Sequence, residues 1–138
     1  LWRKLTEGFP VTIVGETPGL SKQTNSPQEL LLKYQENAIY LNTAHESPVS
    51  TAFLEAMSVG LCPVSIAKCE VPTIIKHGEN GFITNDENEL RFILSDLIKN
   101  PEKCKRIGLK ARNTIIERYS VTKYLNKWNK IFNQALNV

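Results

Sequence analysis

No stretch of this 138-residue sequence approaches the ~20 consecutive apolar residues of a membrane-spanning helix, and no signal peptide is visible at its start. Cysteine is scarce. Cys62, Cys69 and Cys104 are odd in number and form neither a C-x-x-C pair nor a metal-ligand spacing. They read as reduced thiols of a cytosolic protein, with no disulfide framework and no metal site. Charge of one sign is not in large excess: 17 Lys+Arg stand against 14 Asp+Glu, a net charge of +3. The basic residues read as mixed with acids rather than massed, which fits a solvated surface and argues against a nucleic-acid-binding face. Internal repeats and low-complexity segments are absent, and no strand-like run ends in an aspartate that would serve as a phosphoacceptor. A response-regulator or generic flavodoxin-like domain is therefore a poor fit. The address expected from charge and composition is cytoplasmic.

What is present is an ordinary globular composition, 41% hydrophobic and 22% charged. At this length a single domain with a core is expected, burying ~68% of its unfolded surface. With Leu1 in place of methionine, a fragment or a trimmed chain is expected. Leu1 to Glu7 reads as a helix end closed by Gly8. Pro10 to Gly15 reads as a buried strand; Gly15 after it opens either a phosphate loop or a plain strand-to-helix turn. After a polar loop over 16–25, Ser26-Pro27-Gln28-Glu29 combines a capping box with proline at the first helical position. That helix, near 27–36, is expected to bury Leu30, Leu31 and Tyr34. A strand over 38–42, a helix over 48–59 and strands over 62–66 and 81–84 follow. The last third is helical: one helix opens at Asp86 with Leu90, Phe92, Ile93, Leu94, Leu97 and Ile98 as its apolar set, and another runs from Asn100-Pro101 toward Glu117. Ser120 caps the last, with apolar positions from Val121 to Leu136. Strands alternating with helices predict an α/β fold, a Rossmann-like three-layer parallel sheet with helices on both faces and ligands at the carboxyl ends of the strands.

The segment from His45 to Met57 carries the chemistry. Ser47 is placed to cap a helix and Pro48 to begin it; Val49, Ala52, Phe53, Ala56 and Met57 form its apolar stripe, and Ser47, Thr51, Glu55 and Ser58 line the other side. A carboxylate two turns inside a helix whose free N–H groups point at the mouth of a sheet suits an anion at the tip and a hydroxyl-rich group beside it. A nucleotide has both parts.

Glu46-Ser47-Pro48 through Leu54-Glu55-Ala56-Met57, then Gly60 and Pro63-Val64, resembles the signature of the retaining group-1 (GT4-like) glycosyltransferases of GT-B fold. Ile74-Ile75-Lys76-His77-Gly78-Glu79-Asn80-Gly81-Phe82-Ile83 is similar to the family's turn and strand, and Asn100-Pro101-Glu102 with Ile107-Gly108-Leu109-Lys110-Ala111-Arg112 to a helix that follows it. The resemblance runs from about residue 10 to 136. It implies the C-terminal, donor-binding half of such an enzyme: residues 1–119 as a partial nucleotide-sugar-binding domain, and 120–138 as a helix that packs on an N-terminal acceptor domain missing from this chain. The implied reaction moves a hexose-type sugar from a nucleoside diphosphate to an acceptor, with no cofactor and no metal. The chain alone is expected to be inactive, and any membrane association to be peripheral, through the missing domain.

By the same resemblance Glu55 holds the ribose hydroxyls, which an acceptor-only carboxylate is suited to do. The backbone amides of Val49, Ser50 and Thr51 receive the diphosphate, with Ser47, Gly15 and the Ser50 and Thr51 hydroxyls beside it. Ser50 and Thr51 serve equally as caps. Glu46 is the candidate catalytic residue, a contact to the transferred sugar or else an exposed loop acid; His45 next to it reads as incidental. The family pattern is not matched throughout. Glu46 and Glu55 are one residue too far apart. Cys69-Glu70-Val71-Pro72-Thr73 stands where a Gly-Gly-x-Pro-Glu loop belongs, and the basic pair that neutralises the leaving diphosphate has no counterpart, Arg3 and Lys4 lacking its context. Between Gly15 and Ser26 there is no room for the usual helix and strand that help bind the base. A degenerate or stand-alone binding module without catalysis is the second expectation.

Overall fold

A computed structural model describes residues 1–136. Among them three short parallel strands, β1 (Ile39–Asn42), β2 (Cys62–Ser65) and β3 (Phe82–Ile83), lie in the order β1-β2-β3. Ile39 pairs with Cys62 and Asn42 with Ser65; Val64 pairs with Phe82. The helices are α1 (Trp2–Thr6), α2 (Pro27–Gln35), α3 (Thr51–Val59), α4 (Val71–Ile74), α5 (Glu87–Lys99), α6 (Pro101–Tyr119) and α7 (Val121–Leu136).

Strand alternation sends Ile39, Leu41, Cys62, Val64 and Phe82 to one face and Tyr40 and Ile83 to the other. The first group meets Leu5 of α1, Leu90, Ile93, Leu94 and Leu97 of α5, and Cys104 and Ile107 of α6. The second meets Phe53 and Met57 of α3, Val71 and Ile74 of α4, and Ala111 of α6. Helices thus cover both faces of a parallel sheet, the α/β Rossmann-like layering expected from the sequence.

Local chemistry sets the helix ends. Ser26 Oγ accepts the Glu29 N–H with Pro27 in the first turn, while the Glu29 carboxylate reaches back to the Asn25 N–H. Asp86 accepts the N–H groups of Asn88 and Glu89 at the start of α5. α3 stops at Gly60, whose φ of +95° suits only glycine comfortably; the Gly60 and Leu61 amides close on the Met57 and Ala56 carbonyls.

The structure corrects several expectations. Pro10 to Gly15 joins no strand ladder, so the sheet has three strands among the described residues where four were expected. β propensity yields a strand only where a partner edge is within hydrogen-bonding reach, and here a cavity stands between this segment and the open edge of β1. α3 begins at Thr51 and not at Pro48. Extended Ser50 accepts the Phe53 N–H, so Ser47 and Pro48 remain in the preceding loop, with Val49 packed on the second core. Leu31 of α2 and Phe92 and Ile98 of α5 are exposed, because each helix turns only a narrow stripe inward. Cys69 to Thr73 is expected to be a loop, but its last three residues join Ile74 in the single turn of α4, Val71–Ile74.

Basic residues are also less evenly mixed than expected. Lys103, Lys105, Arg106, Lys110, Arg112 and Arg118 lie on α6 and Lys123, Lys127 and Lys130 on α7, against only Glu102 and Glu117. No residue of α7 is buried. Its apolar stripe stands in solvent, with Trp128 stacked on Phe132 and edge-on to Tyr124. No helix among the described residues is long and apolar enough to cross a membrane.

Candidate functional site

β1 and β2 end side by side on polar residues. Asn42 and Ser65 are register partners and both buried; Asn42 Nδ2 donates to Ser65 Oγ at 3.0 Å, and Asn42 Oδ1 accepts the Ala44 N–H at 3.3 Å. The Ser65 hydroxyl donates in turn to the Ile66 carbonyl at 2.8 Å. These bonds tie the carboxyl ends of the strands to the two loops that leave them.

The first loop, 43–50, carries His45, Glu46, Ser47 and Val49. The second carries Cys69 and Glu70. They brace each other: the Glu70 N–H donates to the Pro48 carbonyl at 3.3 Å, and Cys69 Sγ faces the His45 carbonyl at 3.7 Å. Cys69 has a φ of +50°, the left-handed region that costs an L-residue about 1–2 kcal/mol. Cysteine therefore keeps a glycine-like backbone at the position where the sequence resemblance has glycine. His45 and Glu46 are exposed.

α3 starts directly after the first loop. Ser50 takes the Phe53 N–H, while the Thr51 and Ala52 amides have no acceptor among the described residues, the usual state of a helix N-terminus and one that favours an anion. Glu55 stands one turn further, ~6 Å along the axis, and not two turns as expected, because the helix begins later. It is half-buried and turned toward α2, where Tyr34 Oη donates to Glu55 Oε2 at 3.1 Å. Burial, then the bond to Glu55, pushes the Tyr34 phenol well above its ordinary range; burial raises Tyr40 beside it.

Glu55, Tyr34, Tyr40, Ala52 and Gly15 line a cavity of about 890 Å³ that runs between residues 9–15 and the open edge of β1. Its size lies in the range of small-molecule sites, ~300–1,000 Å³. Gly15, with φ +107°, accepts the Ser21 hydroxyl at its carbonyl at 2.6 Å. The structure thus brings Gly15 and Glu55 to one cavity. Ser50 and Thr51 sit at the helix tip, one turn from Glu55. Ser47, Val49 and Glu46 stay on the loop, outside the cavity lining. Since helical geometry starts only at Thr51, the extra residue between Glu46 and Glu55 is taken up by that loop and not by helical phase.

Sequence reasoning missed two features. Helical spacing alone places Tyr34 among the residues α2 buries, and its hydroxyl toward Glu55 becomes visible only when α2 docks on α3. The Asn42–Ser65 pair left a faint signal, a polar residue closing each of two apolar runs.

Residues 19–114 match the model of the family described as glycosyl transferases group 1. Trehalose synthase of Pyrococcus horikoshii is 25% identical over 132 residues, covering 95% of this chain and 30% of that protein. Among solved structures, sucrose-phosphate synthase from Thermosynechococcus elongatus has a TM-score of 0.72 at 16% identity, covering 85% of this chain and 30% of the other. Anabaena HepE in complex with UDP-glucose has a TM-score of 0.70 at 20% identity, covering 85% of this chain and 33% of the other. The chain spans about a third of the length of these proteins. By its sequence match and its parallel, doubly covered sheet, the chain belongs to the glycosyl transferases group 1 family and carries the Rossmann-like half of a GT-B fold.

Proposed function

We propose that this chain is the nucleotide-sugar-binding part of a retaining glycosyltransferase, and that its donor is a nucleoside diphosphate hexose. The observation that carries this reading is the half-buried Glu55 on α3, one turn inside a helix with free N-terminal amides and beside a cavity of nucleotide size. In this assignment the Glu55 carboxylate accepts the ribose hydroxyls, and the Thr51 and Ala52 amides, with the Ser50 and Thr51 hydroxyls, meet the diphosphate. The α3 tip lies too late in the chain for the Val49 amide to share that task directly; Gly15 lines the cavity, while Ser47 and Val49 belong to the loop that leads to the tip. Glu46, on the exposed loop at the strand ends, contacts the transferred sugar. The helix dipole and backbone amides offset the diphosphate charge, with no metal in the scheme. The UDP-glucose held by the Anabaena neighbour is consistent with such a donor.

Sugar transfer needs an acceptor side, which we assign to an N-terminal domain that covers the bare apolar stripe of α7; residues 1–119 then form the donor unit and 120–138 the bridge to it. On its own this chain binds donor but does not turn it over. A catalytically silent binding module is the second reading, favoured by the longer Glu46–Glu55 spacing and by Cys69, Glu70 and Thr73, which replace the two glycines and the glutamate that would approach the substrate.

Melting the chain with UDP, GDP, ADP and their sugar conjugates tests the assignment. A specific ligand at 100 times its Kd adds about 2.7 kcal/mol, a rise of several degrees. One base should stabilise the chain and Glu55→Ala should abolish the effect. No shift with any nucleotide at millimolar concentration overturns it.

A further inference from the structure

Glu55 has one oxygen already engaged. Tyr34 Oη lies 3.1 Å from Glu55 Oε2 and 3.4 Å from the Ala52 carbonyl; with one proton to donate, the shorter contact to the charged acceptor takes it. Tyr34 has little freedom to leave. Its ring packs on Tyr40 at 6.5 Å between centroids, and Tyr40 meets Phe53 edge-on at 6.1 Å. Phe53 is fully buried on α3, so a row of three rings locks α2 to the same helix that carries Glu55. A phenol is protonated, hence a donor, at neutral pH, and burial extends that state to still higher pH for Tyr34. A carboxylate has about four acceptor sites on its two oxygens. One hydroxyl donor on Oε2 orients the group and leaves Oε1 and the remaining lone pairs open toward the cavity.

We propose that Tyr34 is a positioning residue: it fixes the Glu55 carboxylate in the orientation that accepts the ribose hydroxyls, and so sets the preference for ribonucleotides over deoxyribonucleotides. This rests on the donor-site reading given above. Tyr34 does not touch the sugar; it acts through Glu55.

Calorimetry with the tightest binder among UDP, GDP and ADP, and with its 2′-deoxy analogue, tests the role. The wild-type chain should prefer the ribose form. Tyr34→Phe keeps the ring packing and removes only the hydroxyl. It should weaken ribonucleotide binding roughly tenfold, as loss of a hydrogen bond to a charged group does, and weaken the 2′-deoxy analogue, which keeps only the 3′-hydroxyl, by clearly less. In a Glu55→Gln background, Tyr34→Phe should add no further loss. Equal weakening of both nucleotides would mean a merely structural tyrosine, and tighter ribonucleotide binding would mean that Tyr34 blocks Glu55. Either result overturns the proposal. A ribose preference that depends on Glu55 but ignores Tyr34→Phe overturns it while the donor site stands. No nucleotide binding by the wild-type chain removes both.

Discussion

Single residues hold this domain together by backbone requirements as much as by side-chain chemistry. Gly108 on α6 lies against the turn at Gly60; a Cβ there would stand 2.0 Å from the Gly60 carbonyl oxygen. Backbone on both sides leaves nothing flexible to give way. Gly108→Ala should therefore cost ~3 kcal/mol and lower the melting temperature by ~10 °C, readable by circular dichroism. Cys69 sets the opposite test. Its φ of +50° is tolerable for cysteine, free for glycine and a true outlier for a β-branched residue. Cys69→Gly should leave stability unchanged or raise it by up to ~1 kcal/mol, while Cys69→Val should lower it by ~1–2 kcal/mol. A denaturation series on the two variants compares the signs directly. The loss of glycine in this loop, visible in the sequence, does not remove the glycine-like backbone, which only the structure shows.

At the scale of elements, docking is carried by a few buried polar groups set among apolar stripes. Asn80 is buried in the turn before β3: Oδ1 accepts the Lys76 N–H at 2.8 Å, and Nδ2 donates to the Ile74 carbonyl at 3.0 Å and to Thr114 Oγ1 of α6 at 2.9 Å. One side chain joins the end of α4, the turn and α6. Asn80→Ala leaves the Lys76 amide and the Ile74 carbonyl without their partner, and should cost ~2–3 kcal/mol, measured as a shift in urea midpoint at unchanged slope. The caps at Ser26 and Asp86 were readable from sequence because they depend on neighbours three residues away. The start of α3 was not. Ser47 and Ser50 are equally good caps in isolation; which one serves depends on how far the loop must travel from Asn42 before the helix can lie on the sheet.

At the scale of the whole molecule, α7 stands apart. It contributes no buried residue, carries lysines and no acid, and presents Tyr124, Trp128 and Phe132 as an exposed row. A helix that buries nothing stabilises nothing. Truncation after Ser120 should leave the melting temperature within ~3 °C of the full chain's, and should reduce binding of an environment-sensitive hydrophobic dye. A loss of more than ~10 °C would show that α7 supports the core. An apolar stripe of this extent is a surface made to be covered, in keeping with the partner domain proposed above.

Layer order, strand direction, most helix starts and the family resemblance were legible in the sequence, because hydrophobic period, capping chemistry and short motifs are local properties. So was the placement of Glu55 on a helix. Tertiary structure alone decided the rest. It left Pro10–Gly15 unpaired, since a strand exists only by hydrogen bonding to another. It put Leu31, Phe92 and Ile98 outside, since a helix buries only the stripe its neighbours can reach. It also gave Glu55 its partner, Tyr34, twenty-one residues earlier in the chain. No local pattern relates two such positions; they meet because α2 and α3 are packed through the same row of aromatic rings.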